Sequence, residues 1–294
     1  MKQLLALASL QLISFLPLSL ARLFGRILGR LMVRFSVQPY RVAKINIALC
    51  FPKLDQQEVA ELAAQRMVHF GQALFETPGL WRRASDWLQT KIIGMEGEHL
   101  LYDAINNDKG TIILIPHQGN WEVVGLWVAK HTQMTSLFQP PKMAMLGDWI
   151  KSARQRTGAD LVPTNVRGVA SLMKALQRGE MTAILPDQQP PANSGEFAPL
   201  FGVQALTMTL PYNLLKRSAS RIIFACALRE PGGWHLHFFD PEEDIYSTDF
   251  ELSLAAMNSG VEAIANLDPA QYQWEYKRFR ARPEGSAKIY PKRV

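Results

Sequence analysis

The stretch "HQGNWE", residues 117–122, gathers a histidine, two amides, a glycine and a carboxylate within six positions. A histidine followed five residues later by an acid is readable as a base pair across one turn. Glu122 would accept a hydrogen bond from one ring nitrogen of His117, fixing the tautomer. The other nitrogen would then accept a proton from an alcohol. This is the base half of a catalytic triad whose hydroxyl comes from the substrate. Gly119 lets backbone approach a ligand closely, and Asn120 stands where a substrate contact or a helix cap would serve. A solvated helix N-terminus capped by Asn120 remains the alternative on this motif alone.

A second polar group comes after another apolar run, in "ILPDQQPP". Asp187 and Gln188 lie just past a strand, and Pro190 and Pro191 stiffen the loop beyond them. Neighbouring strand ends of an open parallel sheet share a crevice, so Asp187 and Gln188 are expected beside His117. Between the two motifs, "SARQRTGA" supplies Arg154 and Arg156. A guanidinium there suits a phosphate or the oxyanion of an acyl transfer. Arg154 is the candidate; Arg156 reads as a solvated helix charge.

The elements that must position these groups are legible from periodicity. Thr111 to Ile115 is short and β-branched, so it reads as a buried strand ended by Pro116. Val123 to Ala129 reads as the helix behind it, which puts His117 and Glu122 at a strand-to-helix junction. Upstream, Asp55 and Glu58 form a capping-box pattern opening a helix, within which His69 reads as packed or solvated. A second helix is expected over Gly97 to Asn106. Downstream come a strand at "MTSLFQ", a helix closed by Gly158, a short strand at "DLVPT", a helix ending at Gly179 and a strand at "MTAILPD". "PYNLLKRS" is helical. "RIIFACALRE" and "WHLHFFD" form a hairpin around Pro231, Gly232 and Gly233, and Leu252 to Ala265 is a late helix. The β-α-β-α order predicts an α/β fold: a single domain with a largely parallel central sheet flanked by helices and an antiparallel edge.

Several chemistries find no motif. There is no G-x-S-x-G elbow, no H-E-x-x-H, and neither phosphate-binding glycine signature. His235 and His237 share one strand face, but two ligands with no third nearby make no metal set. No metal and no cofactor is expected. Cys50 and Cys226 lie far apart, which suits a reducing compartment. The 294 residues carry a net charge of +6, and the pI is near 9.3. That surplus favours an anionic partner. The basic residues are dispersed and no groove-reading motif appears, so nucleic acid is not expected.

The first 35 residues differ from the rest. Gln3 to Ala21 holds no charge, and Pro17 would bend it. Arg22, Arg26, Arg30 and Arg34 then recur every fourth residue among Leu23, Phe24, Ile27, Leu28, Leu31 and Met32. A helix with that pattern pairs a basic stripe with an apolar face, as an anionic membrane interface requires. Residues 1–35 are thus expected to form a membrane-anchoring helix, and residues 36–294 the catalytic domain. Positive charge after the apolar run places that domain in the cytoplasm. A buried amphipathic helix and a cleaved signal are the weaker readings.

Taken together, the basic N-terminal segment, "HQGNWE", "ARQRTGADLVPTNVRGVASLMKALQRGE", "ILPDQQP" and the tail "DPAQYQWEYKRFRARPEG" resemble the lysophospholipid acyltransferase superfamily. Within it, they resemble the bacterial lipid A late acyltransferases. In that resemblance Glu122 marks the branch, the wider superfamily more often having Asp there, and Arg154, Gln271 and Trp274 match family positions. The resemblance implies O-acyl transfer from acyl carrier protein to a hydroxyl of a lipid A precursor at the cytoplasmic face of the inner membrane. His117 would be the base and Glu122 its partner. Amides near Gly119, or Arg154, would meet the oxyanion, and the basic stripe and tail would contact anionic lipids and the carrier. Two rivals stay open: a coenzyme A-dependent transferase acting on another glycolipid or a lysophospholipid, and a non-catalytic peripheral lipid-binding protein.

Overall fold

The computed structural model describes residues 2–83, 85–106 and 108–291. The outermost ends of the expected division, Met1 and residues 292–294, lie outside the described residues.

Among the described residues there are nine strands: β1 (Ile92–Glu96), β2 (Thr111–Leu114), β3 (Met134–Phe138), β4 (Ala159–Pro163), β5 (Met181–Ile184), β6 (Gly195–Leu200), β7 (Val203–Met208), β8 (Arg221–Glu230) and β9 (Gly233–Phe239). Seven form one sheet in the order β1-β9-β8-β2-β5-β3-β4. Every pairing in it is parallel except β8 with β9. The antiparallel strand expected at the edge is therefore one place in, because β1 pairs alongside β9 and closes that side. Strands β6 and β7 form a separate hairpin. Its turn places Phe201 and Gly202 at positive φ.

Alternation across the sheet builds two cores. Ile112, Leu114, Phe224 and Cys226 face one side, and Ile113, Ile115, Ile223 and Ala225 the other. All are buried, as expected of strands covered on both faces. The first core is closed by α3 (Gln38–Cys50), α4 (Gln56–Arg82), α9 (Val166–Gln177), α10 (Leu210–Leu215) and α11 (Phe250–Leu267). The second is closed mainly by α5 (Ser85–Gln89), α6 (Glu98–Ile105) and α7 (Trp121–His131), while α8 (Ala144–Gln155) leans on α4 and β4.

The N-terminal segment is not one helix. Pro17 separates α1 (Lys2–Ile13) from α2 (Leu18–Arg34). Among the described residues, no helix is long and apolar enough to cross a membrane. Instead α2 packs along α4 so closely that a Cβ at Gly25, Gly29 or Gly71 would overlap the facing backbone. The basic stripe is split by that packing. Arg22 is buried and donates from Nε to Glu76 at 2.6 Å and from its guanidinium to the Gly233 carbonyl at 2.7 Å. Meanwhile Leu20, Leu23, Phe24, Ile27, Leu31 and Phe35 are exposed.

Candidate active site

Strands β2 and β5 pair in register, Leu114 opposite Ile184, and the Ile115 N–H continues the ladder to the Ile184 carbonyl at 2.9 Å. Three residues past each strand stand His117 and Asp187. The two motifs thus meet because two short strands stop level with each other. The Asp187 carboxylate holds His117 at two points: Oδ1 lies 2.7 Å from Nδ1, and Oδ2 accepts from the His117 backbone N–H at 2.8 Å. The Asp187 side chain is 2 % exposed and that of His117 11 %. Burial alone would push the Asp187 carboxyl up. The adjoining imidazole, its hydrogen bond and the backbone N–H outweigh that and hold it below the usual carboxylate range. An ionised carboxylate only accepts, so the proton between them sits on Nδ1. Nε2 then carries the lone pair. It accepts from the Gln188 amide at 3.1 Å, and the same amide group donates to Gln273 Oε1 at 3.0 Å.

The expected partner of His117 is elsewhere. Glu122 is buried on the first turn of α7 and takes both sides of the Arg154 fork, Nε at 3.2 Å and the terminal nitrogen in a close pair. The Arg154 guanidinium also lies over the rings of Trp121 (5.1 Å) and Phe138 (5.6 Å). The cause is simple. His117 lies in the loop before α7, so the five-residue spacing does not carry the side-by-side neighbourhood of two helical positions. Asp187, from the neighbouring strand end, fills the place instead.

Gly119 has φ of 60°, and a Cβ there would overlap the Ala227 carbonyl oxygen. Only glycine suits both constraints. Its N–H is committed to the Gln271 carbonyl at 3.1 Å, and the Asn120 N–H to the Ala227 carbonyl at 3.0 Å. Neither amide is available as an oxyanion donor. Asn120 is the residue before α7 but makes no side-chain cap. Its amide turns inward to Glu76 Oε2 at 3.3 Å.

A cavity of about 360 Å³ opens on His117, Gly119, Asn120 and Glu122. Its far wall is apolar, made by Leu10 of α1, Phe70, Leu74 and Trp81 of α4, and Leu146 of α8. A larger cavity of about 690 Å³ lies against Arg22, Arg26, His69, Arg83 and Arg229, without any of the motif residues. Of the two, the smaller one meets the imidazole held by Asp187.

Spacing and motif do not single out Glu76 and Arg229. Glu76 is 2 % exposed and binds Arg22, Arg229 and Asn120 together. An acid inside an otherwise apolar helical run is the one available signal. Gln271 of the tail exchanges hydrogen bonds with the Arg229 backbone, at 2.9 and 3.0 Å. Arg66 grips Glu275 with two bonds of 2.7 Å. The tail is thereby a structural strap along α4. Its Arg278 is buried and donates to the Leu206 carbonyl at 2.7 Å, so it is not free for lipid or carrier as expected.

Known proteins are similar to this sequence along nearly its whole length. Residues 2–281 match the family model of the bacterial lipid A biosynthesis acyltransferases. A lipid A biosynthesis lauroyltransferase of Escherichia coli K12 is 28 % identical, covering 97 % of this chain and 94 % of the relative. The palmitoleoyltransferase of the same strain is 27 % identical over 94 % and 90 %, and its myristoyltransferase 23 % identical over 90 % and 83 %.

Proposed function

The chain belongs to the family of bacterial lipid A biosynthesis acyltransferases, and on that premise we propose that it moves a fatty acyl chain from acyl carrier protein to a hydroxyl of a lipid A precursor, with His117 as the base. The observation that carries the proposal is the His117–Asp187 pair at the polar end of an apolar cavity. Asp187 keeps the Nδ1 proton in place. Nε2 takes the proton of the acceptor hydroxyl as its oxygen attacks the thioester carbonyl. The C–S bond then breaks, and the proton passes from Nε2 to the departing thiolate. No acyl-enzyme forms. The acyl chain lies along the α4 wall. The first turn of α7 has no side-chain cap and lines the cavity with Trp121 and Glu122, so its N–H groups are our candidates for meeting the oxyanion. Glu122, at the cavity wall, holds Arg154 behind it through two hydrogen bonds.

Support for membrane attachment comes from the exposed apolar residues of α1, α2 and the turn between them, among them Leu4, Leu5, Leu12, Phe15, Leu23, Phe24 and Ile27. We read these helices as lying in the inner-membrane interface with the catalytic domain on the cytoplasmic side. Arg26, Arg30 and Arg34 then meet anionic headgroups.

The test is a transfer assay on purified protein with a lipid A precursor and, separately, acyl carrier protein and coenzyme A thioesters. Transfer is expected from the carrier thioester. His117→Ala should lower turnover by roughly two to four orders of magnitude. Near-normal turnover in that variant would falsify the base assignment, and equal use of both donors would remove the carrier.

A further inference from the structure

The fold supplies a third ligand beside His235 and His237. Strand β1 runs parallel to β9 with Gly94 opposite His235 and Glu96 opposite His237. That register brings one carboxylate from the edge strand to a His-x-His pair on its neighbour. Among the described residues, Glu96, His235 and His237 form a group whose ligand atoms, one from each, lie within 4.8 Å of one another. The two imidazoles are stacked, with ring centroids 4.5 Å apart.

Three further details point to a ligand rather than to a solvated strand face. The Nε2 atom of His235, the one that faces Glu96, is buried and makes no hydrogen bond. His237 itself is 7 % exposed. Buried polar nitrogens without partners are uncommon and call for an explanation. Gly94 is the residue that leaves room, since a Cβ there would sit 2.9 Å from the His235 ring. On the other side, Glu230 Oε1 lies 3.3 Å from His235 Nδ1. A carboxylate behind one ring nitrogen orients the other toward an ion, the usual outer support of a metal-bound histidine.

We propose that Glu96, His235 and His237 form a binding site for a zinc-class divalent transition-metal ion, which clamps the edge strand β1 to β9. Two imidazole nitrogens and one carboxylate oxygen are the donor set such ions take, and nitrogen donors disfavour calcium and magnesium. Ligands on one zinc ion each stand about 2.0–2.2 Å from it. Glu96 Oε2 and His237 Nδ1 are already 3.2 Å apart, and Glu96 Oε1 and His235 Nε2 3.8 Å apart. The remaining closure falls on Glu96, whose side chain is 64 % exposed and free to turn inward. A water completes the coordination. The site shares no residue with the His117 cavity, so it stands or falls independently of the acyl-transfer reading.

The experiment uses the full-length, tag-free protein after chelator treatment, titrated with Zn²⁺ against a chromophoric indicator and, in parallel, with Co²⁺ followed by visible absorption. One equivalent of Zn²⁺ should bind and raise the thermal midpoint, and Co²⁺ should give the absorption of a low-coordinate nitrogen and oxygen site. Glu96→Gln, at an exposed side chain, should keep the fold by circular dichroism and weaken Zn²⁺ at least tenfold. His235→Asn should weaken it further. Absence of stoichiometric binding at 100 μM Zn²⁺ overturns the proposal. So does binding that is equally tight in wild type, Glu96→Gln and His235→Asn.

Discussion

His117 stands 2.7 Å from Asp187, and His237 stands 3.2 Å from Glu96. Each is a histidine beside a carboxylate, and each pair is brought together by neighbouring strands of one sheet. The surroundings of the acid separate them. Asp187 is sealed, its side chain 2 % exposed and both oxygens engaged by His117. It can do little except fix one tautomer. Glu96 is 64 % exposed at the edge strand and can swing. A fixed acid makes a base of its histidine; a mobile one leaves its histidine open to a ligand. Burial of the carboxylate, more than the pairing itself, separates the two roles.

The widest break in that comparison is expected at His117. Beside the loss for His117→Ala described above, Asp187→Asn should cost on the order of 10²- to 10⁴-fold in turnover, because an amide can stabilise the wrong tautomer. Neither variant should change Zn²⁺ affinity. A steady-state transfer assay with a Zn²⁺ titration on the same preparations reads both. If Asp187→Asn retains wild-type turnover while His117→Ala does not, the orienting role of Asp187 is lost and Glu122 must be reconsidered.

Next in size is Glu76, an acid more deeply held than either. Glu76→Gln leaves Arg22 and Arg229 buried without their carboxylate and should cost about 3–5 kcal/mol in denaturant unfolding. A cost below about 1 kcal/mol would mean that solvent reaches this cluster.

His69 provides a third contrast, a histidine with cations rather than an acid beside it. Burial, then the charges of Arg229, Arg66 and Arg22, hold it down to about 3. Its Nδ1 lies 3.1 Å from a donating Arg229 nitrogen, so the folded ring is neutral. The unfolded ring binds its proton below about 6.5. Its contribution is therefore complete above that pH and is lost as pH falls from 6.5 toward 3, at about 1.4 kcal/mol per pH unit. Denaturant midpoints at pH 7 and 5 should differ less in His69→Gln than in wild type. An unchanged difference would assign the acid sensitivity to other groups.

The smallest expected effect is the most discriminating. Glu96→Gln should leave acyl transfer within about twofold of wild type while Zn²⁺ binding falls. A large loss of transfer would join two sites that share no side chain.

The site is legible in the sequence where chain direction decides it. The apolar runs ending in Pro116 and Pro186 announce two buried strands, and parallel neighbours deliver His117, Asp187 and Gln188 to one crevice. Glu122 misleads because sequence spacing across a loop-to-helix junction does not fix side-chain direction. Strand β1 leaves little signal because "IIGME" is short and only half-buried, and β6 and β7 leave little because Pro199 and Gly202 read as breakers. The split of the arginine stripe has no signal in α2 alone. Arg22 is drawn inward by an acid 54 residues away.

Gln188 adds a consequence for economy. Its amide already occupies the lone pair on Nε2 while anchored to Gln273. A lone water reaching the cavity would have to evict that amide before it could be activated, with little contact to compensate. A large acceptor, held along its length, can displace it. In the proposed reaction this resting latch would spare the acyl thioester from idle hydrolysis until the proper alcohol arrives.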